Sequence, residues 1–368
     1  MCAATPAYRT AAPEGIATGA ELRVTVTAVV SPVTGAMSAR YSGDLLRLAM
    51  TSGRVTGSTR LPARRAVPVV ERRYREATAA VLATCEGLAA IAARAGGGPV
   101  RPQSVLVTAG SRTRVLARLE TPWGPVLAGG AGTAAVAGTL RAAAGLSGLP
   151  GTLASSPRGW GGRPLLLRPP VAAVLLAGVR LALGSAAACR LAERRVLPEL
   201  TLADLPTEHA EGLPDDGGRP AEVHTIVRSG RVAPLPPGPD PGVYSGRAVW
   251  SHEAGQLTTA GTFGLALSGM PAGPVPDGAV ELIACAEGLR RYHKDGQLRL
   301  LCLARSADRA GVFLVAVRAR PLSLLRAVTG LTGDSEQTYL EHEINTPSLV
   351  LPSATELARK CNVLISSL

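Results

Sequence analysis

The sequence predicts an α+β protein in two parts. Residues 1–150 read as an N-terminal α/β domain with one long helix, and residues 151–368 as a mainly antiparallel β domain carrying a short apolar helix. Three observations predict this. Short runs rich in Val, Thr and Leu recur between turn residues, at the spacing of an antiparallel sheet. Two segments instead repeat their apolar residues every three or four positions, the period of a helix. Between the halves, residues 145–164 are rich in Gly, Pro and Ser, the composition of a boundary. A length of 368 residues, at roughly 100–200 per domain, also allows two domains.

The N-terminal elements follow in order. Residues 22–30, LRVTVTAVV, alternate and are β-branched, which predicts a strand. After a Pro-Val-Thr-Gly turn, SGDLLRLAMTSGRVTG reads as a hairpin. Val69 to Arg94 is the long helix, with Val70, Tyr74, Ala77, Val81, Cys85, Leu88 and Ala92 on one apolar face and Gly96–Gly98 as its end. Arg64, Arg65, Arg72, Arg73 and Arg75 crowd its start, either as a solvated face or as a docking surface for an acidic partner. Strands are predicted at 104–108, 114–119 and 124–128. Gly130, Gly132 and Ala135 then mimic a dinucleotide-binding fingerprint. That motif needs an acid about 20 residues on to hold a ribose. The next acid is Glu193, so the glycines are read as a turn and close helix packing.

In the second half, 165–167 reads as a strand, Pro169-Pro170 as a helix start, and Val171 to Leu183 as a helix of small apolar residues. LPDDGGRP, 213–220, is a turn, with strands expected at 223–227 and 231–233. PLPPGPDPG, 234–242, is a proline-rich loop. Runs at 279–284, 298–304, 311–319 and 321–328 are predicted strands.

Composition narrows the function. An apolar share of 46% with 18% charged residues excludes general disorder. The net charge of +12 arises from 39 basic and 27 acidic residues, and all but Lys294 and Lys360 of the basic ones are arginine. Ala, Gly, Pro and Arg dominate throughout, as a GC-rich coding sequence would produce. The excess is also uneven. Residues 1–192 carry 22 Arg against 7 acids, and no acid lies between Glu120 and Glu193; the remaining 17 basic residues face 20 acids. A basic half joined to a mildly acidic half implies a polar interface, an anionic ligand, or both. Only two Phe, six Tyr and three Trp argue against single-strand nucleic-acid binding, which stacks bases on rings.

Six scattered cysteines without CxxC spacing are read as free thiols in a reducing compartment. MCAATPAYRTAAPEG lacks the apolar core of a signal peptide. Leu165 to Leu191 is interrupted by Arg168, Pro169, Pro170, Arg180 and Arg190, so it is not a membrane span. A soluble, cytoplasmic protein is expected.

Self-sufficient catalytic equipment is missing. No Ser sits in G-x-S-x-G or in S-x-x-K. The histidines (His209, His224, His252, His293, His342) include no pair at metal-binding helical spacing. His252-Glu253 and His342-Glu343 each begin like a zinc-peptidase helix but lack the second His. A metal site assembled from distant Cys and His stays open as an alternative.

The informative succession is RPLLLRPPVAAVLLAGVRLALG (163–184), VLPELTLADLP (196–206), DDGGRPAEVHTIVRSGRV (215–232) and NTPSLVLP (345–352). It resembles the catalytic domain of the TldD/PmbA family, also called TldD/TldE, microcin-processing or modulator of DNA gyrase proteins. There a strand and a P-x-A-A-x-L-L helix start lead into HExxxH. A strand with an Asp-x-Pro end, a G-x-P segment, a glycine hairpin and a short closing strand follow. The resemblance spans residues 160–355 or so.

The resemblance places Ala177, Gly178 and Ala182 where the zinc peptidase has His, Glu and His. Two imidazoles must hold one zinc and the Glu must polarise its water. Residues five apart lie about 140° apart on an ideal helix, so an active subunit needs a widened turn. Here no ligand and no base remains. The family's third ligand, a cysteine near the C-terminus, has no match in EHEINTPSLVLP, and Cys361 lies beyond the closing strand.

The resemblance therefore implies a PmbA- or TldE-like non-catalytic subunit of a heterodimeric zinc metallopeptidase. Its expected partner is a TldD-like catalytic subunit. This chain would hold no cofactor, the zinc lying in the partner. Together they would enclose a chamber for peptides or small peptide-like amides. The motif helix begins early for the family, which suggests a trimmed N-terminal domain and a specialised role in antibiotic or specialised-metabolite biosynthesis. Candidate chamber residues are Arg247, Trp250, His252 and Glu253, in SGRAVWSHE, and Arg180 on the motif helix. The family's older name leaves a DNA- or topoisomerase-binding regulator as the other alternative.

Overall fold

A computed structural model of the protein describes residues 27–30, 37–42, 101–109, 114–131, 145–146, 148–183, 191, 193–195, 197–205, 223–233, 249–251, 256–258, 264–285, 296–307, 311–339 and 343–367. The predicted long helix at 69–94 lies outside these residues. So do 43–57, 132–144 and the proline-rich loop at 234–242.

Five strands form the N-terminal sheet: β1 (Thr27–Val30), β2 (Met37–Ser42), β3 (Arg101–Ala109), β4 (Arg114–Thr121) and β5 (Gly124–Ala131). They pair antiparallel in the order β1-β2-β3-β4-β5. The β4–β5 turn is closed locally. Thr121 Oγ1 donates to the Gly124 carbonyl at 2.6 Å and accepts from the Trp123 N–H at 3.3 Å. Gly124 takes a φ of 113°, which a side chain would resist. Gly130, read from sequence as a turn residue, instead lies inside β5 opposite Val115.

The remaining strands are β6 (Leu165–Leu167), β7 (Thr201–Asp204), β8 (His224–Arg228), β9 (Arg231–Val232), β10 (Val249–Ser251), β11 (Gln256–Thr258), β12 (Gly264–Ser268), β13 (Ala272–Gly273), β14 (Val280–Cys285), β15 (Leu298–Ser306), β16 (Val312–Ala319), β17 (Gly330–Thr332), β18 (Glu336–Tyr339), β19 (Glu343–Thr346), β20 (Leu349–Leu351) and β21 (Leu364–Ser367). Among the described residues the helices α1 (Pro169–Ala182), α2 (Pro321–Arg326) and α3 (Ala354–Cys361) accompany them. An eight-stranded sheet runs β13-β17-β20-β6-β14-β15-β16-β21, and a six-stranded sheet runs β18-β19-β12-β7-β8-β9. The fold class is α+β. Neither sheet is purely antiparallel, because β6–β14, β12–β19 and β13–β17 pair parallel.

Two further expectations need correction. Residues 321–328, a predicted strand, contain α2 instead. Pro321 is the first helical residue after an extended Arg320, and Leu324 and Leu325 point into the core. A short apolar run does not separate helix from strand, and the proline favours a helix start. Leu349–Leu351 is a strand as expected but does not close the chain, since α3 and β21 follow. Ser353 Oγ caps α3 by accepting the Glu356 N–H at 3.2 Å, and Asn362 ends it in the left-handed region at φ 53°.

The predicted apolar helix is α1, and among the described residues it lies between the two larger sheets. It packs against β6, β14 and β15 of the larger sheet, against β18 and β19 of the smaller, and against α2. Ten of its fourteen residues are buried, as a helix apolar on all sides requires. Val171, Leu175, Leu176 and Val179 are fully buried in one core shared with both sheets. Each such side chain contributes about 1.5–3 kcal/mol relative to exposure. No described helix is long and apolar enough to cross a membrane.

Candidate functional site

The two ends of α1 differ in chemistry. At the N-terminal end, Arg168 is the residue before the first helical position, and its backbone N–H donates to the Leu282 carbonyl at 2.9 Å. Its guanidinium grips Glu281 of β14 with two bonds, Nε to Oε2 at 3.1 Å and Nη2 to Oε1 at 2.9 Å. Nη1 donates to Asp334 Oδ2 at 2.7 Å. Arg305 of β15 donates to the same Glu281 from the other side, Nε to Oε2 at 2.8 Å. Asp334 also accepts from the Ser348 N–H at 3.1 Å, from Ser348 Oγ at 2.7 Å, and from the Thr332 hydroxyl.

These contacts fix the charges. Partial burial pushes the Glu281 carboxyl up, but hydrogen bonds from Arg168 and Arg305, with their positive charges, hold it below its ordinary value. Burial acts the same way on Asp334 and is outweighed by bonds from Ser348, Thr332 and Arg168, so its carboxyl is also held low. Burial alone would lower the Arg168 guanidinium; its two carboxylate partners raise it. The network ties the start of α1 to β14, through it to β15, and to the loops after β17 and β19.

At the other end sit the motif positions. Ala177 and Ala182 are half-buried, and Leu181 between them is 61% exposed. Gly178 is buried, and a Cβ there would stand 3.2 Å from Pro321 Cγ and 3.6 Å from Leu298 Cδ1. The position assigned to the base is thus closed by the first residue of α2. A carboxylate side chain there would have to displace the Pro321 ring and the Leu298 side chain, and an alanine or glycine carries no metal donor. A zinc site does not fit these residues. Arg180 is only 7% exposed, in the last helical turn, where a cation suits the helix dipole, and it is engaged there rather than free.

Among the other candidates, Trp250 lies on β10, opposite Leu257 of β11. Arg247, His252 and Glu253 lie outside the described residues, so they are not placed relative to Arg180. Among the described residues no three His, Cys, Asp or Glu side chains cluster as metal ligands would.

The other motifs have structural explanations. Asp204, the acid of the ADLP segment, is fully buried and accepts the Gly264 N–H at 3.1 Å, tying β7 to the start of β12. It stands opposite the buried His224 of β8. Gly230, the hairpin glycine, has φ 80°, and a Cβ there would lie 2.4 Å from the Leu197 and Pro198 carbonyl oxygens. From the other side, Gly269 would place a Cβ 2.4 Å from the Glu199 carbonyl. The chain at 197–200 therefore passes between two glycines.

The sequence missed the Arg168 network, whose members are 113 and 166 residues apart. One signal pointed to it. Arg168 lies inside the acid-free window, so any carboxylate partner must come from a distant part of the chain, and most acids lie in the second half with Glu281 and Asp334.

Comparison with known proteins adds the fold. No family model matches the chain, and neither does any curated protein. Among solved structures, a candidate modulator of a DNA gyrase from Thermotoga maritima is similar with a TM-score of 0.51 at 12% identity, over 77% of this chain and 74% of that one. TldE from Thermococcus kodakarensis gives 0.48 at 11% identity, over 80% and 76%. A second candidate gyrase modulator, from Bacteroides thetaiotaomicron, gives 0.48 at 14% identity, over 91% and 89%. At this identity the likeness is one of architecture: the chain has the fold of the Thermotoga maritima protein.

Proposed function

We infer that this chain is the non-catalytic, TldE-like subunit of a heterodimeric zinc metallopeptidase of the TldD/TldE type. The observation that carries the reading is Gly178: the position assigned to the catalytic base is a glycine, buried against Pro321. Ala177 and Ala182 supply no zinc ligand. The ordered motifs of residues 163–352 and the fold shared with the Thermotoga maritima protein support the same family. In this reading a TldD-like partner brings the zinc and the HExxxH helix. This chain completes the chamber and limits entry to peptides or small peptide-like amides, in the formation of an antibiotic or other specialised metabolite.

Co-expression with a TldD-like protein from the same source tests the inference. The expected result is a stable mixed complex on size analysis that hydrolyses peptide amides, with activity lost to a chelator. Separate elution of the two proteins, with the TldD-like one as active alone as in the mixture, would overturn it.

The description of the Thermotoga maritima protein and the charge of +12 favour a second reading, a DNA- or gyrase-acting regulator. It requires DNA affinity that falls steeply with salt, about −0.9 in log–log slope per phosphate contact. A flat response disposes of it.

A further inference from the structure

The hairpin of β14 and β15 sets Cys285 directly opposite Cys302 in antiparallel register. Their sulfur atoms are 4.0 Å apart, and both thiols are free. Directly opposed residues of an antiparallel pair have Cα atoms about 4.5–5.5 Å apart, inside the roughly 4.4–6.8 Å that a disulfide spans. Side-chain rotation alone can bring the sulfurs to bonding distance. The register comes from the irregularity between Leu282 and Ala284. Without that extra residue Ala284, not Cys285, would face Cys302.

The pair is asymmetric. Cys302 is fully buried, whereas Cys285 is only half-buried, at the margin of the core. A small reagent therefore meets Cys285 first. Contact with Cys285, and then burial, push the Cys302 thiol well above the ordinary value, so Cys302 is the poorer first nucleophile, and its sulfur 4.0 Å from that of Cys285 leaves it the resolving role.

We propose that Cys285 and Cys302 form a dithiol–disulfide modification site whose oxidant is a low-molecular-weight disulfide of the glutathione class. The Cys285 thiolate attacks one sulfur of the reagent, breaking its S–S bond and releasing one thiolate. The Cys302 sulfur then attacks the Cys285 sulfur of the mixed disulfide. The second thiolate leaves and takes up the Cys302 proton. Two protein thiols are oxidised to one disulfide, and one reagent disulfide is reduced to two thiols. The product staples β14, which carries Glu281, to β15, which carries Arg305.

The test is incubation of the full chain with glutathione disulfide, digestion without reductant, and mass spectrometry of the cysteine peptides. The expected product links Cys285 to Cys302, and the oxidised chain melts at a higher temperature than the reduced one. In Cys302→Ser the glutathione stays on Cys285; in Cys285→Ser, Cys302 stays a thiol. Glutathione retained on Cys285 of the unmodified chain overturns the proposal. So does an unlinked Cys302, or a bond from Cys285 to another cysteine. Digestion of the unmodified chain decides the matter even if a serine variant fails to fold.

Discussion

A Cβ on Gly178 would stand 3.2 Å from Cγ of Pro321, so the C-terminal half of α1 is packed tightly against the first residue of α2. The contact has a consequence for substitution. Gly→Ala inside a helix ordinarily gains about 1 kcal/mol, but here the methyl meets a proline ring held by its own backbone. Gly178→Ala is expected to lower stability by about 1 kcal/mol, the overpacking cost exceeding the propensity gain. Pro321→Ala in the same chain should recover most of it. Gly178→Glu should cost about 3–5 kcal/mol, as a buried charge without a partner does. Chemical denaturation of the variants checks all three.

The Arg168–Glu281 pair is three-quarters or more buried on both sides, with side-chain exposures of 25% and 16%. Its two parallel hydrogen bonds make it stronger than a surface ion pair. Arg168→Ala and Glu281→Gln are each expected to destabilise by about 1–3 kcal/mol. A double-mutant cycle should give a coupling of about 1 kcal/mol, because Arg305 remains to share Glu281. Additive effects would mean that the pair does not anchor the helix start.

The same network predicts an acid sensitivity with a definite sign. The Glu281 and Asp334 carboxyls are held below their ordinary values in the folded chain. Their contribution is complete above the unfolded-state value, about 4. It is lost as pH falls through the folded values, when protonation breaks the bonds to Arg168. Stability should therefore drop below about pH 4.5. Glu281→Gln should flatten that slope while leaving stability near pH 7 lower and pH-insensitive. Urea midpoints measured across this range supply the comparison.

Which parts of this were legible in the sequence follows from range. The runs read as strands at 165–167, 279–284, 298–304 and 311–319 are β6, β14, β15 and β16 to within two residues, because alternation and branching act locally. The helix read as Val171 to Leu183 is Pro169–Ala182 in the structure, since a proline pair and an unbroken apolar run admit little else. β2 was not predicted. Met37–Ser42 has no β-branched residue, and its strand character comes from the backbones of β1 and β3 on either side. α2 was misread because Leu322, Leu324 and Leu325 fit either period until their partners are known. The closed motif position could not be read at all, for Pro321 lies far along the chain from Gly178. Of the candidate residues, Arg180 was visible as a charge amid apolar neighbours, and its burial follows from α1 lying between two sheets.

In the proposed reading, Ala177, Gly178 and Ala182 provide neither zinc ligand nor base, and the catalytic centre belongs to the partner. Zinc content and amide hydrolysis of the purified single chain, with and without chelator, test it most directly. The account predicts no stoichiometric zinc and no turnover by the chain alone, with chelator-sensitive turnover arising once a TldD-like subunit is added. Metal-dependent hydrolysis by the single chain would contradict it.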